Sequence, residues 1–262
     1  MYFILPLFLL LINGFSCINS SNMITDTAMV HYCPPVVNYC PPIVNYCPPE
    51  LIQNTTVDTF NHNFCESRLQ NNQPPELYNS YTALVISVVP FISGFPENPM
   101  LYNVAVMLVI NGGASFYYHY YLTWFGKQAD EISMILANYF GLWRLIDIAY
   151  DSVSKRRTLK NLNTVFMYTF IASNTLVKHD YLFPNIFGFY IIMTLYIIRK
   201  IAHRYNIAYK RYLFVSFTGY IAWFISEQFC NETTVYGHTV WHVLFPLGFY
   251  QLLLNYDKLI RK

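Results

Sequence analysis

The feature that most restricts this chain is a succession of long apolar runs separated by short polar breaks. From Glu76 onward there are seven, at about residues 77–95, 101–119, 132–150, 161–177, 182–199, 210–228 and 236–254. Each approaches the roughly 20 residues that cross a hydrocarbon core. In that medium backbone groups find partners only inside a helix or a closed barrel. Composition agrees: 55% of residues are hydrophobic and 11% are charged, about half the charged share of an ordinary soluble domain. The 24 Tyr and 21 Phe suit rings packed between helices and placed at membrane interfaces. The expected fold is all-α, a bundle of seven transmembrane helices. Pro99, Pro184 and Pro246 fall at or inside run edges, where bundle neighbours can replace a lost backbone bond. The net charge of +2 is spread over short loops, so no nucleic-acid partner is implied.

Ahead of the runs, Tyr2 to Phe15 is apolar but too short to span. Gly14 and Ser16 are small residues placed as signal peptidase prefers them, so 1–16 reads as a signal peptide or short anchor. Residues 17–62 read as a low-complexity stalk. Within it Tyr32-Cys33-Pro34-Pro35-Val36-Val37-Asn38 recurs as Tyr39 to Asn45 and, truncated, from Tyr46. A polyproline II course would hold neighbouring repeat cysteines about 22 Å apart, too far to bridge. Residues 63–262 are the expected seven-helix domain. Lys155, Arg156, Arg157 and Lys160 lie between runs three and four. Arg199, Lys200, Arg204, Lys210 and Arg211 lie between five and six, and Lys258, Arg261 and Lys262 end the chain. A seven-span path puts all three groups on one side, which the positive-inside rule makes cytoplasmic. The N-terminus and stalk are then lumenal or extracellular and the C-terminus cytoplasmic. The glycosylation sequons at Asn19, Asn54 and Asn231 fit that side.

Run two ends in Ser115-Phe116-Tyr117-Tyr118-His119, Asp130 precedes run three, and run seven opens with His238-Thr239-Val240-Trp241-His242. Histidines at i and i+4 share one helical face and can reach one metal. A third histidine completes a three-nitrogen set with an open position, the donor pattern of a catalytic zinc (Zn2+). In the seven-span path His119, His238 and His242 all fall at outer helix ends. Ser115 lies one turn below His119, and Asp130 enters from the adjoining outer loop. Ionisable residues at such depth are costly and usually functional.

Ser-x-x-x-His, then Asp-Glu with a nearby methionine, then His-x-x-Trp-His, resembles the alkaline ceramidases. These belong to a wider seven-helix hydrolase superfamily that includes adiponectin-receptor-like proteins. Phe64-Cys65-Glu66, Glu76 to Thr82, and Trp223 to Cys230 resemble further stretches of the family, so the likeness spans about residues 63–254. It implies an enzyme, an amidohydrolase acting on the amide of ceramide or another N-acyl lipid within a membrane of the endoplasmic reticulum or Golgi. His119, His238 and His242 would bind zinc, Asp130 would accept and return a proton, and Ser115 would steady the oxyanion. It further implies a calcium (Ca2+) site at Asn63, the Phe64 carbonyl, Glu66 and Glu76. Asn63 stands there where the family has Asp, and Arg68 where it has Asn. An arginine offers calcium no oxygen, and Arg68 could instead pair with Glu66 or Glu76. The likeness points also to a Cys65–Cys230 disulfide, both residues lying outside by topology. The alternative joins Cys65 to Cys33, Cys40 or Cys47. Arg144 and Asp147, at i and i+3 inside run three, are expected to pair. A second reading is an adiponectin-receptor-like protein using its metal for structure or signalling. Its expected cytoplasmic N-terminus is opposite to the side assigned by the loop charges.

Overall fold

The computed structural model describes residues 64–70, 74–176 and 182–260. The segments assigned to a signal or anchor and to the stalk, with Asn63, lie outside the described residues. Among the described residues there are eight helices and no strand. They are α1 (Cys65–Leu69), α2 (Leu77–Ser93), α3 (Pro99–Tyr121), α4 (Trp124–Ala149), α5 (Val153–Leu176), α6 (Leu182–Tyr205), α7 (Lys210–Gln228) and α8 (Gly237–Ile260).

The seven longer helices lie on the seven apolar runs, but α4 and α5 each begin eight residues before theirs. Two expectations are corrected here. Asp130 is in the second turn of α4, not in a loop. The Thr123 hydroxyl accepts the Gly126 N–H at 3.1 Å, an N-cap that starts the helix early. The polar residues that interrupt the apolar pattern there are buried on one another. Lys127 Nζ lies 3.2 Å from Glu131 Oε1, and the Asn174 amide of α5 donates to Gln128 and Glu131, both at 3.0 Å. Likewise Lys155, Arg156, Arg157 and Lys160 sit on α5 rather than in a loop. Straight-chain basic residues favour helix, and Lys155 and Arg157 carry their charges outward on long stems.

Helix α8 packs against α2, α3 and α7, while α4 packs against α3, α5 and α6. One apolar core joins Ile135, Leu142, Leu145, Phe170, Ile197, Ile201 and Leu252, and a second joins Ile86, Leu101, Val104, Leu108 and Leu253. Tyr250 and Tyr256 are enclosed with their hydroxyls bonded to the carbonyls of Gly94 (2.7 Å) and Ile198 (3.2 Å). Asn98 caps α3 ahead of Pro99, and the Asp257 carboxylate of α8 accepts the N–H groups of Glu97 and Asn98. Arg144 lies 3.7 Å from Asp147, but Lys160 of α5 is the closer partner at 2.6 Å. The outer surface exposes Phe91, Ile92, Phe125, Leu162, Leu176 and Phe214, more apolar side chain than water tolerates without a purpose. Helices α3, α4 and α6 are long and apolar enough to cross a membrane, and α2 is a shorter apolar helix.

The start of α8 lies so close to α7 that only glycine fits at 237. A Cβ there would sit 2.1 Å from the Ala222 carbonyl oxygen and 2.7 Å from Ser226 Cβ. Gly237→Ala is therefore expected to push the two helices apart and to cost about 1–3 kcal/mol. Thermal unfolding in detergent would show it as a lowered midpoint, and an unchanged midpoint would contradict the packing.

Candidate metal centre

His119 occupies the last turn of α3, and His238 and His242 the first two turns of α8. All three are buried, and one ring nitrogen of each lies within 4.8 Å of those of the others. The spacing along α8 puts two imidazoles on one face. The close contact of α3 with α2, and of α2 with α8, brings the third across.

Each ring also meets a protein oxygen at Nδ1. His119 Nδ1 is 2.5 Å from Glu76 Oε2, and the Glu76 N–H donates to the His119 carbonyl at 3.0 Å. His242 Nδ1 is 3.1 Å from the Thr82 hydroxyl. His238 Nδ1 is 3.5 Å from Glu227 Oε1. With Nδ1 of His119 and His242 hydrogen-bonded and that of His238 facing a carboxylate, Nε2 is the atom left to ligate, and outer oxygens of this kind fix both tautomer and ring angle in metal sites. Three buried imidazoles, converged and backed by oxygens, fit a metal ion, and their chemistry suits zinc.

Helix α1 holds this arrangement from above. Its Cys65 N–H donates to Glu227 Oε2 at 3.0 Å and its Ser67 N–H to Glu76 Oε1 at 3.1 Å. The Phe64 ring packs edge-on to His238, centroids 4.5 Å apart, and lies 5.4 Å from His119. Cys65 is disulfide-bonded to Cys230, just past α7, with Cα atoms 5.3 Å apart. This bond closes a sequence separation of 165 residues. Its removal by Cys230→Ser is expected to cost about 2–5 kcal/mol, the usual range for a native disulfide. It should also lower metal content, because α1 would no longer be tied to α7. Thermal unfolding and metal analysis of the variant check both, and a wild-type midpoint with full metal would contradict the role.

Asp130 and Ser115 meet beside the histidines. The Asn111 amide of α3 donates to Asp130 Oδ1 at 2.8 Å, and the Ser115 hydroxyl donates to the same carboxylate. Asp130 is within electrostatic reach of His238. Ser115 is buried one turn before His119.

The residues expected to hold calcium are otherwise engaged. Glu66 accepts the N–H groups of Tyr78 (2.8 Å) and Asn79 (2.9 Å), which caps α2. The Glu76 oxygens face Ser67, Asn79 and His119, and the Phe64 carbonyl accepts the Arg68 N–H at 2.9 Å. Arg68 pairs with neither Glu66 nor Glu76. Its guanidinium reaches Glu227, 2.7 Å from the carbonyl and 3.4 Å from Oε2. Calcium requires six to eight oxygens, and to supply them these groups would have to share or give up the donors they now accept.

Three residues around the site carry roles that the sequence did not assign: Glu227 and Thr82, which lie in the family-like stretches, and Asn111. For Glu227 a signal existed, since a carboxylate near the end of an apolar run needs a reason to be there.

No curated protein matches the chain. The family model described as Ceramidase matches residues 57–260, a stretch that contains His119, His238 and His242, Asp130, Ser115 and both paired cysteines, and the chain belongs to the ceramidase family.

Proposed function

We propose that the protein is a zinc-dependent amidohydrolase that cleaves the amide of ceramide, or of a related N-acyl lipid, to a sphingoid base and a fatty acid. The observation that carries this reading is the buried convergence of His119, His238 and His242 with Asp130 and Ser115 beside them. Membership of the ceramidase family supports the substrate class. When bound, a zinc ion supplies a Lewis acid that acidifies water and polarises a carbonyl. Asp130 takes the proton from the attacking water and passes it to the departing amine nitrogen as the C–N bond breaks. The Ser115 hydroxyl donates to the oxygen that gains charge on the carbonyl carbon. Asn111 holds the Asp130 carboxylate in place, and the Phe64 ring keeps water off one side of the histidines.

A cavity of about 290 Å³ is lined by Thr82, whose hydroxyl meets His242, and by Thr239, Val240, Val243 and Leu244. Its apolar wall suits one hydrocarbon chain of such a lipid. The apolar outer surface and the basic residues gathered at helix ends support seven spans with an extracytoplasmic N-terminus.

The test is release of sphingoid base from a panel of N-acyl lipids by purified protein. Hydrolysis should disappear with a zinc chelator and return with added zinc. A calcium-selective chelator should change it less than twofold, because the calcium donors are engaged elsewhere. Metal-loaded protein that hydrolyses none of the panel would overturn the assignment.

A further inference from the structure

We propose that Glu227 is a positioning residue of the metal centre, holding the His238 proton on Nδ1 so that Nε2 is presented to the ion, with Arg68 and α1 fixing its carboxylate. This rests on the metal reading above and extends it to residues outside the ligand set.

Glu227 is the last acidic residue of α7 and is buried, 8% exposed. Its Oε1 and the Nδ1 of His238 face each other at 3.5 Å, an ion-pair distance, and neither atom forms a hydrogen bond among the described residues, so each is the other's nearest candidate partner. The other oxygen, Oε2, receives Cys65 N–H at 3.0 Å and Arg68 Nη2 at 3.4 Å. Arg68 also donates to the Glu227 carbonyl, which locks the guanidinium to the main chain of the residue it neutralises. A buried carboxylate is retained only when its charge is paired and its oxygens are bonded; here Cys65 and Arg68 donate to one oxygen, and the other is turned to His238.

That convergence decides which side chain can serve. A carboxylate accepts at both oxygens, whereas an amide has one acceptor and one donor end. In Glu227→Gln the amide oxygen goes to the side with two donors, Cys65 and Arg68. The NH2 group is then turned to His238. It donates to Nδ1 and drives the ring proton to Nε2, the atom the metal needs. The variant keeps the contact that seats α1 but presents the wrong tautomer of His238. A purely structural role for Glu227 would leave metal affinity untouched by this exchange.

The experiment measures zinc affinity of the full chain by chelator competition, with the visible spectrum of the cobalt-substituted protein as a second readout of coordination. Glu227→Gln should bind zinc about 10–100-fold more weakly, the usual effect of losing an outer partner, and should show an altered cobalt spectrum. Its metal-free thermal midpoint and its Cys65–Cys230 bond should match those of the wild type. Arg68→Gln leaves the carboxylate in place but removes its counter-charge, and should weaken zinc binding less than Glu227→Gln does. Wild-type affinity in Glu227→Gln overturns the proposal alone. Should Glu227→Gln fail to fold, wild-type affinity in Arg68→Gln overturns it. Absence of metal from the wild-type chain overturns the metal reading and the proposal together.

Discussion

Replacement of His242 by alanine is expected to reduce bound zinc from about one per chain to near zero and to abolish hydrolysis. The side chain is buried, its Nδ1 is held by Thr82, and it supplies one of three converged nitrogens. Removing a partner outside the ligand set costs roughly 10–100-fold in metal affinity, so removing a ligand should cost more. Two histidines would remain for an ion that takes four ligands. Metal that binds only the folded chain stabilises it by about 2.7 kcal/mol at a hundredfold excess over Kd. The variant should therefore also lose the zinc-dependent part of its thermal midpoint. His203, exposed near the other end of α6, provides the control, and its alanine variant should keep metal and midpoint. Full zinc occupancy in His242→Ala would remove His242 from the ligand set.

The second large effect is expected at Asp130. Asp130→Asn should retain zinc yet turn over at least about 10²-fold more slowly, the common contribution of general acid–base catalysis. Asparagine has the same shape and keeps an oxygen for the Asn111 amide and the Ser115 hydroxyl, so the local packing survives. It cannot carry a proton from water to an amine. The informative comparison is kcat alongside metal content in one preparation. Loss of both together would point to a structural acid, and wild-type turnover would remove Asp130 from the reaction.

Much of this arrangement could be read from residue order. The seven longer helices lie on apolar runs because burial and hydropathy act on the same side chains. The i, i+4 spacing of His238 and His242 declares a shared face before any coordinates exist. Helix starts were less legible. Lys127, Gln128 and Glu131 look like loop residues until Asn174, more than 40 positions away, is seen to bond two of them. Glu66 and Glu76 read as cation ligands by residue type, and the backbone and imidazole donors they accept were not legible. That choice depends on where α1 sits, which local pattern does not specify. The destination of Arg68 was misread for the same reason. Its partner Glu227 lies 159 positions along the chain.

The Cys65–Cys230 bond has a consequence for how the protein matures. Cys65 is made early, with Cys33, Cys40 and Cys47 close by in sequence, whereas its partner comes 165 residues later. Chain closure favours short loops, so during synthesis in an oxidising compartment the nearer thiols have first access to Cys65. The native bond is then reached by thiol–disulfide exchange once the end of α7 has emerged. His238 and His242 emerge later still. Cys65 captured by Cys33, Cys40 or Cys47 would keep α1 from Glu76 and Glu227, leaving two histidines without the carboxylates that aim them. Such a chain would be full length yet unable to retain its metal. The yield of active protein should therefore follow the supply of disulfide-exchange catalyst in the host more closely than the supply of zinc.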